Sequence, residues 1–269
     1  MRAASYDTLI LSDLHLGSQL SRASDARDVL REHRFQRLIL LGDIFSDLNF
    51  ARLTKEHWKF LSYIRKLSNP KRGIEIVWVE GNHDHGLSTV MSHLVGMRVF
   101  QEYAWDFEGH RHLAIHGHQF DRFVCNNLLL SRMNSFVHLQ LQKLDFKSKA
   151  FSRLVDRLGT HWLRLSAKVC SGAVVHARMR GADRVFCGHT HQALFCERDG
   201  IEYYNTGSWT DTQPTFVTIG SEGVRIHEYQ ERSDHRDSRE KRGQADSVPA
   251  GLAGAAGLRK DIEHAGVRG

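Results

Sequence analysis

The chain has 269 residues, of which 41% are hydrophobic and 25% are charged, as is usual for a globular protein that buries a complete core. The formal net charge of +6 favours an anionic partner: a phosphorylated metabolite, a nucleic acid or an anionic lipid surface. No apolar run has the length of a membrane span, so we expect no transmembrane helix. The 4 cysteines form no C-x-x-C pair, so we expect reduced cytosolic thiols and not a disulfide framework.

Four short apolar runs, each ending in polar residues, predict strands that are buried on both faces. They cover residues 6–12, 37–41, 74–79 and 184–187. Residues 1–13 have a short apolar run but no small-residue cleavage site, so we expect a first strand there and not a signal peptide. Helical patterns at 26–33 and 52–67 alternate with the strands and indicate an α/β layered fold, in which ligands lie beyond the carboxyl ends of the strands.

A second group of shorter β-like segments follows at 99–106, 111–115, 194–197, 200–205, 216–219 and 224–229. Turn signals separate some of them, for example Arg198-Asp199-Gly200 and Ser221-Glu222-Gly223. We expect these segments to pair as antiparallel strands.

Residues 121–180 contain no proline and have apolar residues at helical spacing, which predicts an insertion of two or three helices. Between 122 and 180 there are 11 Lys and Arg against 2 Asp. A basic amphipathic insertion suits an anionic membrane surface or substrate phosphates, while a solvated helix face is the alternative. Residues 231–269 are charged and then Gly/Ala-rich, so we expect one domain over 1–230 and a disordered C-terminal tail.

Five polar clusters stand at strand ends or beside glycine turns and supply carboxylate, imidazole and amide groups. They are Asp13-Leu14-His15, Gly42-Asp43, Gly81-Asn82-His83-Asp84, His116-Gly117-His118 and Gly188-His189-Thr190-His191. This mixture of nitrogen and oxygen ligands suits Mn, Fe or Zn in a catalytic site and argues against a cysteine-based structural zinc site. With 18 histidines, one His-x-His pair or so arises by chance, and we assign His110/His112 to chance.

The five clusters, in this order across residues 13–191, resemble the calcineurin-like metallophosphoesterase superfamily, whose pattern is D-x-H, GD, GNH[DE], H and GHxH. The resemblance implies a four-layer αββα sandwich and two divalent metal ions, Mn in the first place with Fe or Zn as alternatives. It also implies hydrolysis of a phosphoester or pyrophosphate bond by attack of a metal-bound hydroxide. Two cations that lie roughly 3.5–4 Å apart need a shared anion between them, and one carboxylate can supply it.

The roles of the family carry over to the matching positions of this sequence. The resemblance implies a first metal on Asp13, His15 and His191, a second metal on Asn82, His116 and His189, and a bridging carboxylate from Asp43. His83 is the implied catalytic residue, which contacts the phosphoryl oxygen or protonates the leaving group. Asp84 is implied to orient His83, or alternatively caps a helix that begins near Leu87. His85 has no role in the pattern.

Within the superfamily the chain looks most like the UDP-2,3-diacylglucosamine hydrolase branch. The supporting stretches are SDLHLG (12–17), GDIF (42–45), HGHQFD (116–121), YYNTGSW (203–209) and the helical insertion. The branch cleaves a nucleotide–lipid pyrophosphate with manganese, so we expect a cytoplasmic protein that is peripheral at the inner membrane. His83 stands where the branch has Arg and His118 where it has Asp, which leaves another phosphodiester or phosphomonoester open as the substrate.

Four residues are candidates for substrate contact: His118, Asp121, Arg122 and Arg132. For His118 and Asp121, support of the metal ligands and a plain loop or capping role stay open. We expect residues 205–207 to form a turn under the metal site. A nuclease is disfavoured because the basic helices carry no interleaved aromatic platform, and a non-catalytic scaffold is disfavoured because no ligand is missing. The sequence does not indicate the oligomeric state.

Overall fold

The computed structural model describes residues 5–87, 98–121 and 149–230, with the backbone alone for 149–163. These ranges belong to a compact unit that ends at Gln230. They contain the strands β1 (Ser5–Leu11), β2 (Arg34–Leu41), β3 (Glu75–Val79), β4 (Val99–Phe100), β5 (Glu102–Phe107), β6 (His110–Ile115), β7 (Arg184–Cys187), β8 (Leu194–Arg198), β9 (Ile201–Asn205), β10 (Thr215–Gly220) and β11 (Gly223–Glu228). The helices are α1 (Ala23–Glu32), α2 (Lys55–Leu67) and α3 (Lys149–Met179), and short 3-10 turns span Phe50–Arg52, Pro70–Arg72 and His118–Phe120.

The strands form two sheets. The first has the order β11-β10-β1-β2-β3-β4, with β1 to β4 parallel and β10 antiparallel to β1. The second has the order β5-β6-β7-β9-β8, in which β6, β7 and β9 are parallel. The carboxyl ends of β1, β2 and β3 therefore lie along one edge of the first sheet, and those of β6 and β7 along one edge of the second.

Alternate residues of the parallel strands bury their side chains on opposite faces, as the two-residue period of a strand requires. In β1, Leu9 and Leu11 belong to the core that includes α1 and α2, whereas Ile10 packs toward the second sheet. The core between the sheets also contains Trp105 and Phe186. The continuous apolar runs seen in the sequence are thus strands covered on both faces.

The outer face of the second sheet packs on the C-terminal part of α3. Ala173, Val174 and Ala177 of the helix share a core with Leu113 and Val185 of the sheet. The order of layers is helices, sheet, sheet, helix, which confirms the predicted αββα sandwich. Among the residues that the structure describes, no helix is long and apolar enough to cross a membrane.

The second group of strands pairs antiparallel, as expected: β5 with β6, β8 with β9 and β10 with β11. β6 and β9 also pair parallel to β7, which is one of the four buried apolar runs. The chain reaches β7 through the long crossover that contains α3, and such crossovers connect parallel strands. One expectation about the strands was wrong. The segment 99–106 is not one strand: the chain leaves the first sheet at Gln101, so that β4 pairs with β3 while β5 pairs with β6.

Helix starts also differ from the sequence pattern. The helix expected from residue 52 begins at Lys55, because Thr54 caps it: the Thr54 side chain accepts from His57 N and the His57 ring bonds Thr54 N. Of the insertion expected at 121–180, α3 covers 149–179 as a helix. Residues 122–148 and the C-terminal tail 231–269 lie outside the described residues.

Candidate metal centre

The loops that follow β1, β2, β3, β6 and β7 converge between the two sheets, and each carries one of the polar clusters. Backbone hydrogen bonds join the first two loops: Asp13 N donates to Gly42 O (3.1 Å) and His15 N to Asp43 O (3.0 Å). A third bond joins the loops after β6 and β7, where Gly188 N donates to His116 O (3.0 Å). The convergence follows from the parallel strands, since their carboxyl ends meet at one edge.

One group of potential ligands consists of Asp13, His15 and His191, whose ligand atoms lie within 4.8 Å of one another. His191 Nε2 is 3.2 Å from Asp13 Oδ1 and 3.1 Å from His15 Nε2. Asp13 and His15 are buried, so this is a confined cluster and not a patch of exposed acids.

A second group consists of Asp43, His116 and His189, again within 4.8 Å. His116 Nε2 lies 3.4 Å from Asp43 Oδ2. Asp43 also belongs to a third group with His15 and His83, so its carboxylate lies between the two ligand sets. This is the placement that a bridging carboxylate needs.

Asn82 Oδ1 is buried at the centre and has no hydrogen-bond partner among the described residues. His116 Nε2 and His189 Nε2 are also buried and make no hydrogen bond of good geometry, although each faces a carboxylate, Asp43 Oδ2 at 3.4 Å and Asp121 Oδ2 at 3.6 Å. A buried polar atom without a partner is destabilising by about 1–3 kcal/mol, so such atoms are rare unless a ligand satisfies them. All three can act as electron-pair donors to a cation. The residues present therefore fit a metal, and they fit one with mixed nitrogen and oxygen ligands.

The backbone of the centre is held in an unusual conformation. Among the described residues, seven that are not glycine have a positive φ, and five of them are candidate ligands. The five are Asp13 (50°), His15 (46°), Asp43 (49°), His189 (68°) and His191 (57°). The other two, Glu108 and Asp199, lie in hairpin turns. Left-handed backbone at non-glycine residues concentrates at functional sites, where the surrounding structure maintains it.

Two glycines of the polar clusters make this close approach feasible. Gly42 has φ 76°, and a Cβ at this position would overlap the His116 ring. A Cβ on Gly81 would overlap the carboxylate and the backbone N of Asp43. Gly42 thus lets the loop after β2 approach the loop after β6 of the second sheet, and Gly81 lets the loop after β3 approach the loop after β2.

The electrostatics of the centre favour ionised carboxylates. Burial would raise the pKa of Asp43, but His116 and His83 outweigh it and hold this pKa well below its usual range. Burial would lower the pKa of His116, but Asp43 raises it to about 10. Burial lowers the pKa of His15 to about 3, which leaves its ring neutral. A cation bound here would therefore meet an anionic Asp43 and would compete with the proton of His116.

The structure corrects the role expected for Asp84. Its buried carboxylate accepts from Gly81 N (2.6 Å) and from Ile44 N (3.0 Å), so it ties the loop after β3 to the loop after β2. The His83 ring is oriented by a different acceptor, because Nδ1 bonds Ser46 O at 2.8 Å. His83 N donates to Asp43 Oδ1 (2.8 Å), and Nε2 lies 3.9 Å from Asp43 Oδ2.

Two of the substrate-contact candidates lie beside the centre. The His118 ring centroid is 5.4 Å from that of His116, and burial together with His116 lowers the pKa of His118 to about 3. Asp121 is buried, with Oδ2 3.6 Å from His189 Nε2, which favours support of a ligand over contact with substrate. Arg122 and Arg132 lie outside the described residues.

Residues 205–207, where we expected a turn, start at the last residue of β9 and hydrogen-bond the loops of the centre. Asn205 Nδ2 donates to Gly188 O (2.7 Å), and Thr206 N donates to Cys187 O (2.8 Å). The Ser12 hydroxyl, which the sequence did not single out, bonds Thr206 Oγ1 at 2.5 Å. This segment thereby fixes both the loop with Asp13 and the loop with His189.

Glu80 is a second residue that the sequence did not single out. Its buried carboxylate accepts from Gly86 N and from Gln101 Nε2, and it lies 3.6 Å from Nδ1 of the exposed His85. It braces the end of the loop that carries Asn82 and His83. A lone acid before a glycine gave no signal of this in the sequence.

His110 and His112 take no part in the centre. His112 is buried between the sheets, with ring centroids 5.0 Å from Trp105 and 5.9 Å from Phe186. His110 is exposed at the start of β6.

The chain is similar to two curated hydrolases and to a solved phosphoesterase structure. The UDP-2,3-diacylglucosamine hydrolase of Neisseria meningitidis serogroup B (strain MC58) is 25% identical over 202 residues, which cover 70% of this chain and 81% of that protein. The protein of the same name from serogroup C (strain FAM18) is 26% identical over 200 residues, 69% and 80% of the two chains. Among solved structures, the phosphoesterase Yfce from E. coli is 16% identical with a TM-score of 0.46, covering 81% of this chain and 90% of that one.

The calcineurin-like phosphoesterase family model matches residues 6–193, a range that holds all five polar clusters. The match runs from β1 to the loop after β7 and so includes each loop that reaches the metal centre. The chain therefore belongs to the calcineurin-like phosphoesterase family and is a phosphoester hydrolase.

Proposed function

We propose that the protein hydrolyses a phosphoester or pyrophosphate bond at two divalent cations held between the sheets. Asp13, His15 and His191 hold the first cation. Asn82, His116 and His189 hold the second, and Asp43 lies between the two. The observation that carries the proposal is the convergence of the ligand groups on Asp43, together with the buried Asn82 Oδ1, which has no hydrogen-bond partner among the described residues.

Two bound cations supply positive charge to the phosphoryl oxygens and lower the pKa of a bound water toward roughly 7, so that the nucleophile is available at neutral pH. The protein supplies the anionic Asp43, the neutral His15 and a buried setting in which these charges act strongly. The left-handed loops keep these ligands in place before substrate arrives.

His83 is the proposed catalytic side chain. Ser46 O accepts from Nδ1 and so fixes the ring plane and the tautomer, which leaves Nε2 as the atom directed at the centre. Because Nδ1 already carries a proton, Nε2 donates a proton to a phosphoryl oxygen or to the leaving-group oxygen only when the ring is the imidazolium cation. Asp84 acts at one remove, by holding the loop on which His83 stands.

Mn is the proposed metal, with Fe and Zn as the alternatives. Imidazole, amide and carboxylate donors suit all three, and supply decides among them. The test is to remove metal from the purified protein with EDTA and to follow bis-p-nitrophenyl phosphate hydrolysis as Mn²⁺, Fe²⁺ or Zn²⁺ is added back. Full activity in the metal-free protein contradicts the proposal.

Two substrate classes are proposed. A nucleotide–lipid such as UDP-2,3-diacylglucosamine is favoured by the two relatives that carry this substrate in their name. Another small phosphodiester or phosphomonoester is favoured by His83 and His118, which replace the Arg and Asp of that branch. Turnover of UDP-2,3-diacylglucosamine beside bis-p-nitrophenyl phosphate, p-nitrophenyl phosphate and a single-stranded oligonucleotide discriminates these classes and also tests a nuclease activity.

An anionic membrane surface is the proposed partner of the basic insertion. The described end of this region contributes Arg164 and Lys168, which are exposed. Because Coulomb attraction to a surface is screened within a Debye length, binding to anionic liposomes should weaken as salt rises from about 50 to 500 mM. Equal pelleting with neutral and anionic liposomes at low salt contradicts the membrane proposal without touching the proposed chemistry.

A further inference from the structure

Away from the metal centre, two thiols approach each other where α3 packs on the edge of the second sheet. Cys170 of α3 is buried, and Cys196 of β8 is partly exposed. Their Sγ atoms are 3.0 Å apart, about 1 Å more than the ~2.05 Å of a disulfide bond. Both thiols are free in the structure.

Contacts that involve no sulfur hold the two elements together on either side of this pair. Arg198, two residues after Cys196, donates from Nη1 to the hydroxyl of Ser171 at 2.6 Å. Ser166, one helical turn before Cys170, donates from its hydroxyl to Gln192 Oε1 at 3.3 Å. The proximity of the sulfurs is therefore a property of how α3 lies on β8 and not of two side-chain rotamers alone.

We propose that Cys170 and Cys196 are a redox modification site, which closes to a reversible disulfide when the folded protein meets a small-molecule disulfide such as oxidised glutathione. The more exposed Cys196 reacts first: its thiolate attacks the reagent, forms a mixed disulfide and releases one reagent thiol. Cys170 then gives its proton to solvent, attacks Cys196 Sγ and displaces the second reagent thiol. Two protein thiols and one reagent disulfide thus give one protein disulfide and two reagent thiols.

The order of the two steps follows from the surroundings of each thiol. Burial, reinforced by the hydrogen bond with Cys196, raises the pKa of Cys170 to about 12. A thiol of this kind is a poor first nucleophile but serves well as the second, because its target sulfur is already adjacent. Cys187, the other described cysteine, is fully buried and has no such route to a reagent.

The cross-link would join two elements that flank the metal centre. Phe120, in the 3-10 turn after His116, packs so closely on Gly172 of α3 that a Cβ there would overlap its ring. Leu194, the first residue of β8, comes three residues after His191. A disulfide therefore ties the helix that supports the His116 turn to the strand that follows the His189–His191 loop.

The test treats the native, folded protein with oxidised glutathione and then blocks the remaining thiols before proteolysis and mass spectrometry. We expect one linked peptide that joins Cys170 to Cys196, a loss of two free thiols per chain and full reversal by dithiothreitol. The proposal is overturned if Cys196 is recovered only as its glutathione adduct, or if the link is made to Cys125 or Cys187 instead.

Three variants test the order in which the two thiols react. Cys196→Ser should abolish both the link and the glutathione uptake at Cys170, because the first nucleophile is gone. Cys170→Ser should stop at the glutathione adduct of Cys196. Cys125→Ser is the matched control, and it should form the link as the wild type does. The peptide map of the oxidised wild-type protein tests the proposal by itself, even if a variant fails to fold.

Discussion

Asp43 and His116 form a buried ion pair between the two sheets, with Asp43 Oδ2 3.4 Å from His116 Nε2. Asp43 follows β2 of the first sheet and His116 follows β6 of the second, so the pair joins the carboxyl ends of both sheets. The His116 ring is fixed from its other side, where Nδ1 bonds Leu41 O at 3.0 Å. The ion pair thus orients one proposed ligand toward the carboxylate that is proposed to bridge both metals.

Replacing His83 should separate catalysis from metal binding. His83→Ala removes the proposed proton donor but none of the seven proposed metal ligands, so metal content should stay and turnover of bis-p-nitrophenyl phosphate should fall by about 10²–10³-fold. Metal analysis and steady-state kinetics check this on the same preparation. The matched control is His85→Ala, whose side chain is 74% exposed and should leave both readouts unchanged. A loss of metal in His83→Ala would refute the split between ligand and acid.

Replacing Asp84 should mainly affect stability. Both carboxylate oxygens accept backbone hydrogen bonds in a buried setting. In Asp84→Asn the amide NH₂ cannot accept, so one backbone N–H loses its acceptor and the free energy of unfolding should fall by about 1–3 kcal/mol. Urea unfolding followed by tryptophan fluorescence measures the change. Asp106→Asn, at a side chain that is 72% exposed, should cost less than about 0.5 kcal/mol. Equal stability of Asp84→Asn and wild type would contradict the tie between the loops.

His112 should make the fold sensitive to acid. Burial lowers the pKa of His112 to about 4, whereas in the unfolded chain it has its ordinary value of 6.5. Above pH 6.5 both states are neutral at this residue. As the pH falls from 6.5 to about 4, only the unfolded state gains the proton, so the folded state loses stability, by at most about 3 kcal/mol.

His112→Phe should remove this part of the acid sensitivity. The phenyl ring can keep the stacking with Trp105 and Phe186, and it deletes a ring nitrogen, Nε2, that has no hydrogen-bond partner within the described part of the chain. Urea unfolding at pH 7 and pH 5 measures the difference between variant and wild type, so that titration of the metal centre cancels. An identical loss of stability on acidification in both proteins argues against the assignment.

Much of the site follows from the sequence, because clusters such as Asp13-Leu14-His15 and Gly42-Asp43 directly follow apolar runs, and parallel strands bring their ends together. The orientation of His83 does not, since its acceptor is the Ser46 backbone carbonyl, a group that every residue has. The pairing direction of β6 and β7 depends on the crossover between them, and strand patterns do not encode it. The contact of Cys170 with Cys196 depends on how a helix lies on a sheet edge.

The central claim is that two metal ions share the carboxylate of Asp43, and metal stoichiometry tests it most directly. Asp43→Asn is the suitable variant, because Asn tolerates the left-handed backbone at φ 49° but carries no charge. Asp47→Asn, at a partly exposed side chain four residues on in the same loop, is the matched control. After loading with Mn²⁺ and desalting, elemental analysis should find about two ions per chain in wild type and control, and fewer than about half an ion in Asp43→Asn. Two ions per chain in Asp43→Asn, or at most one in the wild type, would contradict the shared carboxylate.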